Sequence, residues 1–114
     1  MSDERRAELL GHMAQSARLA VSYVEGMRRE DFLTDTRTQQ AVIMNLVIIG
    51  EAAAKLMQDH PGFTQSHPDV PWQSMRGMRN RIAHGYFDTD LEIVWETVLS
   101  ALPDLLVRLP AVGS

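Results

Sequence analysis

The sequence predicts an all-α fold, an up-and-down bundle of about four main helices. Three observations carry this: apolar residues recur at spacings of three and four, two segments of capping-box form precede apolar runs, and no stretch alternates with the period of two expected of a strand.

Each element follows in order. Leu10, Met13, Ala17, Ala20, Val24 and Met27 form one stripe of an amphipathic helix expected over roughly residues 3 to 29. After the acidic break Glu30-Asp31, Thr36-Arg37-Thr38-Gln39 has the form of a capping box. The second helix that follows has two apolar stripes, Val42, Leu46, Ile49, Ala53 and Leu56, and Ile43, Val47, Gly50, Ala54 and Met57. So wide an arc must bury two sides, one in the chain's own core and the other either against a second copy or within one subunit; periodicity alone weighs these equally.

Residues 60 to 71 hold three prolines and a glycine and read as an ordered connection, with Pro71 at a first-turn position of a short third helix from Trp72 to His84. Trp72, Met75, Met78 and Ile82 have the spacing of core positions on that helix, and Gly85 suits its C-terminus. Thr89-Asp90-Leu91-Glu92 is the second capping box, opening a helix with Leu91, Val94, Val98, Leu102, Leu105 and Leu109 inward, and with Trp95 also in the core. Pro103 should kink or restart it.

Composition bounds the rest. The 114 residues, 45% of them hydrophobic, suffice for one domain with one modest core, so residues 1–114 read as a single domain. With no cysteine there can be no disulfide, thiolate nucleophile or cysteine-ligated zinc, and no apolar signal core follows Arg5-Arg6, so the expected setting is the cytoplasm. The longest apolar run, Ala41 to Ala54, is interrupted by Asn45 and Glu51 and falls short of the roughly 20 residues of a membrane span. A net charge of -4 argues against non-specific coating of nucleic acid. Locally the balance reverses: Trp72 to Phe87 holds Arg76, Arg79, Arg81 and His84 and no carboxylate, which makes it the place for an anionic substrate.

That segment also holds the groups that could do chemistry. Asn80 and His84 are four apart and share a helix face, and Arg79 is long enough to swing toward Asn80. Arg79 and His84 are five apart, about 140° around the axis, so one copy makes no tight pair while two copies in a dimer could line one cleft. Histidine gives or takes a proton near neutrality and arginine's forked donors suit phosphoryl oxygens, a pairing that needs no metal or cofactor.

The pattern Arg79-Asn80-Arg81-Ile82-Ala83-His84 resembles the Arg-polar-x3-His motif of the HEPN superfamily of ribonucleases. Its extension His84-Gly85-Tyr86 is similar to the HepT-like branch, with Arg-x4-His-x-Tyr, and so are Ile49-Gly50-Glu51-Ala52, Pro71-Trp72 and Gly77-Met78. The resemblance implies a metal-independent RNA-cleaving toxin acting as a homodimer, in which the ribose 2′-hydroxyl attacks the adjacent phosphorus to leave a 2′,3′-cyclic phosphate. It implies His84 as acid or base, Arg79 as the phosphate clamp and Asn80 as a positioning group, with Glu51 in support; Arg76 and Arg81 are expected as RNA contacts from the local positive charge. It further implies a minimal nucleotidyltransferase antitoxin that transfers AMP to Tyr86, and possible higher assembly with it.

Plainer readings stand beside these. Arg79, Arg81 and His84 could simply complement the helix dipole, Tyr86 beside Phe87 could close the core over the turn, and Glu51 could pair with Lys55 one turn on. Asn45 reads as part of a buried network or a dimer groove. His60 and His67, near Asp59 and Asp69, have no recognised metal-ligand spacing, and His12 has no partner in sequence. A non-catalytic helical dimer that binds a nucleotidyltransferase or a nucleotide is the alternative function, motivated by the overall acidity.

Overall fold

The computed structural model describes residues 2–110; residues 1 and 111–114 lie outside the described residues. The described residues are helical with no strand among them.

Helix α1, Asp3–Tyr23, starts where the Ser2 hydroxyl accepts the Arg5 N–H at 3.1 Å, and it buries Leu10, Met13, Ala17 and Ala20. It stops six residues short of the end expected at residue 29, and four short of the last residue of the stripe. Gly26 takes φ +78°, the left-handed region glycine enters without strain, and turns the chain. Val24 is nonetheless buried and Met27 partly so, which is why the stripe overran the helix.

The acidic break is itself a short helix, α2, Arg29–Leu33. The Asp31 carboxylate accepts the Arg28 N–H at 2.9 Å, and Phe32 is fully buried with its ring 5.3 Å from that of Trp95.

Helix α3, Thr36–Asp59, is capped one residue earlier than the Thr36–Gln39 box predicts. Asp35 accepts both the Thr38 N–H, at 3.1 Å, and the Thr38 hydroxyl, at 2.7 Å, while the Gln39 amide donates to the Phe32 carbonyl at 2.9 Å. A carboxylate is the stronger acceptor at a helix start and displaces the neighbouring threonine.

Helix α3 packs against α1 and against α5, Trp72–His84. Its first stripe is buried throughout, and in the second Ile43 and Gly50 are buried while Val47 and Met57 pack partly exposed on the core. The wide apolar arc that raised the question of a second copy is therefore covered to a large extent within one chain. By length and a mean hydropathy of 1.4, α3 could cross a membrane, yet half of that window is buried inside the fold, as in a core helix. Asn45, also buried, donates to the Ala41 carbonyl of its own helix at 2.9 Å and needs no wider network.

Between these helices the proline-rich connection contains α4, Pro61–Gln65, with Pro61 at its first turn. Pro71 is the N-cap of α5 and not a first-turn residue. The Trp72 indole N–H reaches the carbonyls of Thr64, at 3.2 Å, and His67, at 3.1 Å, which ties the start of α5 to this connection.

After α5, one 3-10 turn, Tyr86–Asp88, leads to α6, Leu91–Glu96. Here too the aspartate is the cap: Asp90 accepts the N–H groups of Glu92 and Ile93, and the Thr89 hydroxyl donates instead to the Tyr86 carbonyl at 2.8 Å. The effect of Pro103 is a π turn, Thr97–Ala101, in which the Leu102 N–H pairs with the Thr97 carbonyl five residues back, before α7, Leu102–Arg108. Proline brings no N–H to the ladder, and wider pairing just ahead of it absorbs the gap. Val94, Val98, Leu102 and Leu105 still reach the core, as their spacing predicts.

Candidate active site

The site is assembled where α5 lies against α3. An ideal Cβ at Gly50 would stand 2.3 Å from Arg79 Cβ and 2.7 Å from the Met75 carbonyl oxygen, so only glycine lets the two helix backbones approach so closely. That approach sets Arg79 directly over α3. Its guanidinium donates through Nη1 to Glu51 Oε1 at 2.5 Å and through Nε to Asn80 Oδ1 at 2.8 Å.

Two neighbours therefore hold Arg79 from two directions, one adjacent in sequence and one 28 residues away. The side chains of Arg79 and Glu51 are 22% and 49% exposed, and so open an ion pair contributes only about 0–1 kcal/mol to stability. Its effect is on direction: it fixes where the guanidinium points.

The Arg79–Asn80 contact is the one adjacency predicts, whereas the Lys55 partner considered for Glu51 is replaced by Arg79. The stretch free of carboxylates in sequence is thus not free of them in space.

His84 stands exposed in the last turn of α5, and among the described residues no hydrogen bond joins it to Arg79, Asn80 or Glu51. One chain brings together Arg79, Asn80 and Glu51 and leaves His84 facing solvent. Arg76 and Arg81 are exposed on the same helix, and Arg81 Nη2 lies 3.9 Å from the Met78 sulfur.

Tyr86 and Phe87 do not close the core: they are 45% and 99% exposed. Of the loop histidines, His67 Nδ1 sits 2.9 Å from the Phe63 carbonyl and 3.1 Å from the Ser66 hydroxyl, within its own turn. Beside α5, Leu46, Ile49, Met75, Met78, Leu102 and Leu105 line an apolar groove of about 220 Å³ that runs to the π turn.

Glu51 is the site residue whose partner sequence reasoning missed. The one local signal was a carboxylate next to a glycine on the most apolar helix.

Comparison with known proteins identifies the family. The chain matches the family described as Ribonuclease HepT-like over residues 13–112, a span that holds Gly50, Glu51, Arg79, Asn80, His84 and Tyr86. It is 38% identical over 98 residues to "Probable ribonuclease HepT" of Thermococcus cleftensis, covering 86% of each chain. It is 36% identical over 96 residues to a protein of Caldanaerobacter subterraneus and 30% identical over 105 residues to one of Methanocaldococcus jannaschii, both named "Putative RNase". Those matches cover 84% of this chain and 83% of the first relative, and 92% of this chain and 94% of the second. No solved structure matches. With the motif, the helical frame and the relatives in agreement over most of its length, the chain belongs to the HepT-like ribonuclease family.

Proposed function

We propose that the chain is an endoribonuclease toxin that cuts RNA without a metal, and the observation that carries the reading is the clamped guanidinium of Arg79 on the helix that presents His84. In the reaction, the ribose O2′ loses its proton and bonds to the adjacent phosphorus while the P–O5′ bond breaks. The products are a 2′,3′-cyclic phosphate and a 5′-hydroxyl, whose oxygen takes up a proton. His84 serves one of the two proton transfers, and Arg79, held by Glu51 and Asn80, meets the charge that builds on the phosphoryl oxygens. Arg76 and Arg81 attract the flanking phosphates.

Support for a working homodimer comes from the division within one chain: Arg79 is drawn to α3 and His84 faces outward, so a second copy across the groove would complete each centre. Control by a nucleotidyltransferase antitoxin fits the exposure of Tyr86 two residues beyond His84. AMP on its hydroxyl would crowd the groove and repel the RNA backbone.

The test is cleavage of RNA by purified protein in chelator, compared with His84→Ala. Loss of cutting with unchanged helicity and mass supports the assignment; equal cutting removes His84 from the mechanism. A wild type that never cuts RNA, yet binds a nucleotidyltransferase, would establish the non-catalytic alternative.

A further inference from the structure

Phe87 is the most exposed large apolar side chain among those described, at 99%, and the fold gains nothing from it. The turn that presents it is nevertheless ordered. The Tyr86 ring meets it nearly edge-on, centroids 6.0 Å apart at 82°, on a 3-10 turn closed by Asp88 N–H to Gly85 carbonyl at 2.9 Å and Thr89 N–H to Tyr86 carbonyl at 3.2 Å. The Thr89 hydroxyl adds a bond to the Tyr86 carbonyl at 2.8 Å. An aromatic face fixed in water beside a cationic helix end is the combination that binds an unpaired nucleotide: the base stacks and the phosphate pairs.

We infer that Phe87 is a stacking platform for an unpaired base of the RNA next to the scissile phosphate, so that the substrate is single-stranded at the cut. The inference rests on the ribonuclease reading above. Phe87 is three positions from His84, a span of at most about 10 Å, within reach of a neighbouring nucleotide. Charge sets the course of the strand. The last turn of α5, next to the turn that carries Phe87, holds Arg81 and His84, so the phosphate beside the stacked base pairs there, while Asp88 and Asp90, which line one pocket with Arg81, bound the strand on that side. A base inside a duplex already stacks on its neighbours and offers Phe87 no free face.

The test uses the full chain and a single-stranded 2′-O-methyl oligoribonucleotide, which binds but cannot be cut because its 2′-oxygen cannot attack. Phe87→Ala should weaken binding roughly 5- to 100-fold, the range of one lost base stack. Phe87→Trp should keep the affinity, and its indole emission should be quenched by the oligonucleotide against the constant background of Trp72 and Trp95, which are buried. With cleavable single-stranded RNA, Phe87→Ala should raise KM and leave kcat nearly unchanged.

Wild-type affinity in Phe87→Ala, or unquenched emission from saturated Phe87→Trp, overturns the stacking role. So does a changed oligomeric mass in Phe87→Ala, which would make this face a protein contact. If those results come with His84-dependent cleavage, the ribonuclease reading stands alone; if wild type neither binds nor cuts RNA, both fall together.

Discussion

Replacing Gly50 by alanine tests the contact on which the site is built. The added carbon would sit 2.3 Å from Arg79 Cβ and 2.7 Å from the Met75 carbonyl oxygen. Carbon atoms rest about 3.5–4.0 Å apart, so α5 must withdraw by roughly 1 Å or more. Neither obstacle is the free end of a side chain: one is backbone and the other is bonded to it. Overpacking of this kind costs about 1–3 kcal/mol, against which alanine's better helix propensity returns up to about 1 kcal/mol. With a clash as short as 2.3 Å the cost lies at the upper end of that range, so a net loss of about 2 kcal/mol should lower Tm by roughly 8–12 °C in a domain of this size. Moving Arg79 by about 1 Å should also slow RNA cleavage on the order of 100-fold.

Two other helical glycines supply the contrast. A Cβ at Gly11 meets nothing within 4 Å, and one at Gly77 meets only the Arg81 Nη1 at 3.6 Å, so alanine at either should stabilise by up to about 1 kcal/mol. Thermal melts of the three variants, followed by circular dichroism, decide the matter. A Gly50→Ala protein that melts at or above the wild type would refute the close approach of α3 and α5.

Other outcomes follow from the same structure. Glu51→Gln removes the charge that draws Arg79 to α3, and it should lower kcat about tenfold while Tm stays nearly constant, because so exposed a pair adds little stability; an unchanged kcat would rule out a positioning role. Arg81→Ala should reduce the slope of log Kd against log salt for single-stranded RNA by about 0.7, the release from one phosphate contact, and an unchanged slope would place Arg81 away from the strand. The Asp35 carboxyl is held below its ordinary 3.8 first by the Thr38 N–H and then by its hydroxyl. A carboxyl whose folded pKa is depressed adds stability that is complete above its unfolded pKa and fades as pH falls through the lowered value. Melts of wild type and Asp35→Asn should therefore differ at neutral pH and converge in acid, and a constant difference would assign the cap's contribution to something other than the charge.

Much of this molecule was legible in its sequence because helical spacing reports burial directly. The core stripe of α3, the limits of α5 and the inward positions of α6 and α7 all follow from it. The misses share a cause: local rules stop at competition between neighbours and at contacts distant in sequence. Asp35 and Asp90 took the caps expected for Thr36 and Thr89, since a carboxylate outcompetes a hydroxyl one residue away. Gly26 ended α1 while its apolar stripe continued into the turn. The pairing of Glu51 with Arg79 lies beyond any local rule, for Lys55 was the partner within helical reach and the true one arrives only when α5 docks. The plainer reading that Tyr86 beside Phe87 closes the core over the turn does not hold, because a one-turn 3-10 helix leaves both rings exposed.

Gly50 and Glu51 are consecutive, and this adjacency binds two kinds of selection together. The first admits the backbone of α5 and the second grips the guanidinium that α5 carries, so packing and chemistry use one contact. Elsewhere in the bundle a lineage adapting to heat can exchange core side chains for others of like volume. At this crossing it cannot, because any side chain that thickened the joint would push Arg79 off its mark, and durability there must be found in other helices.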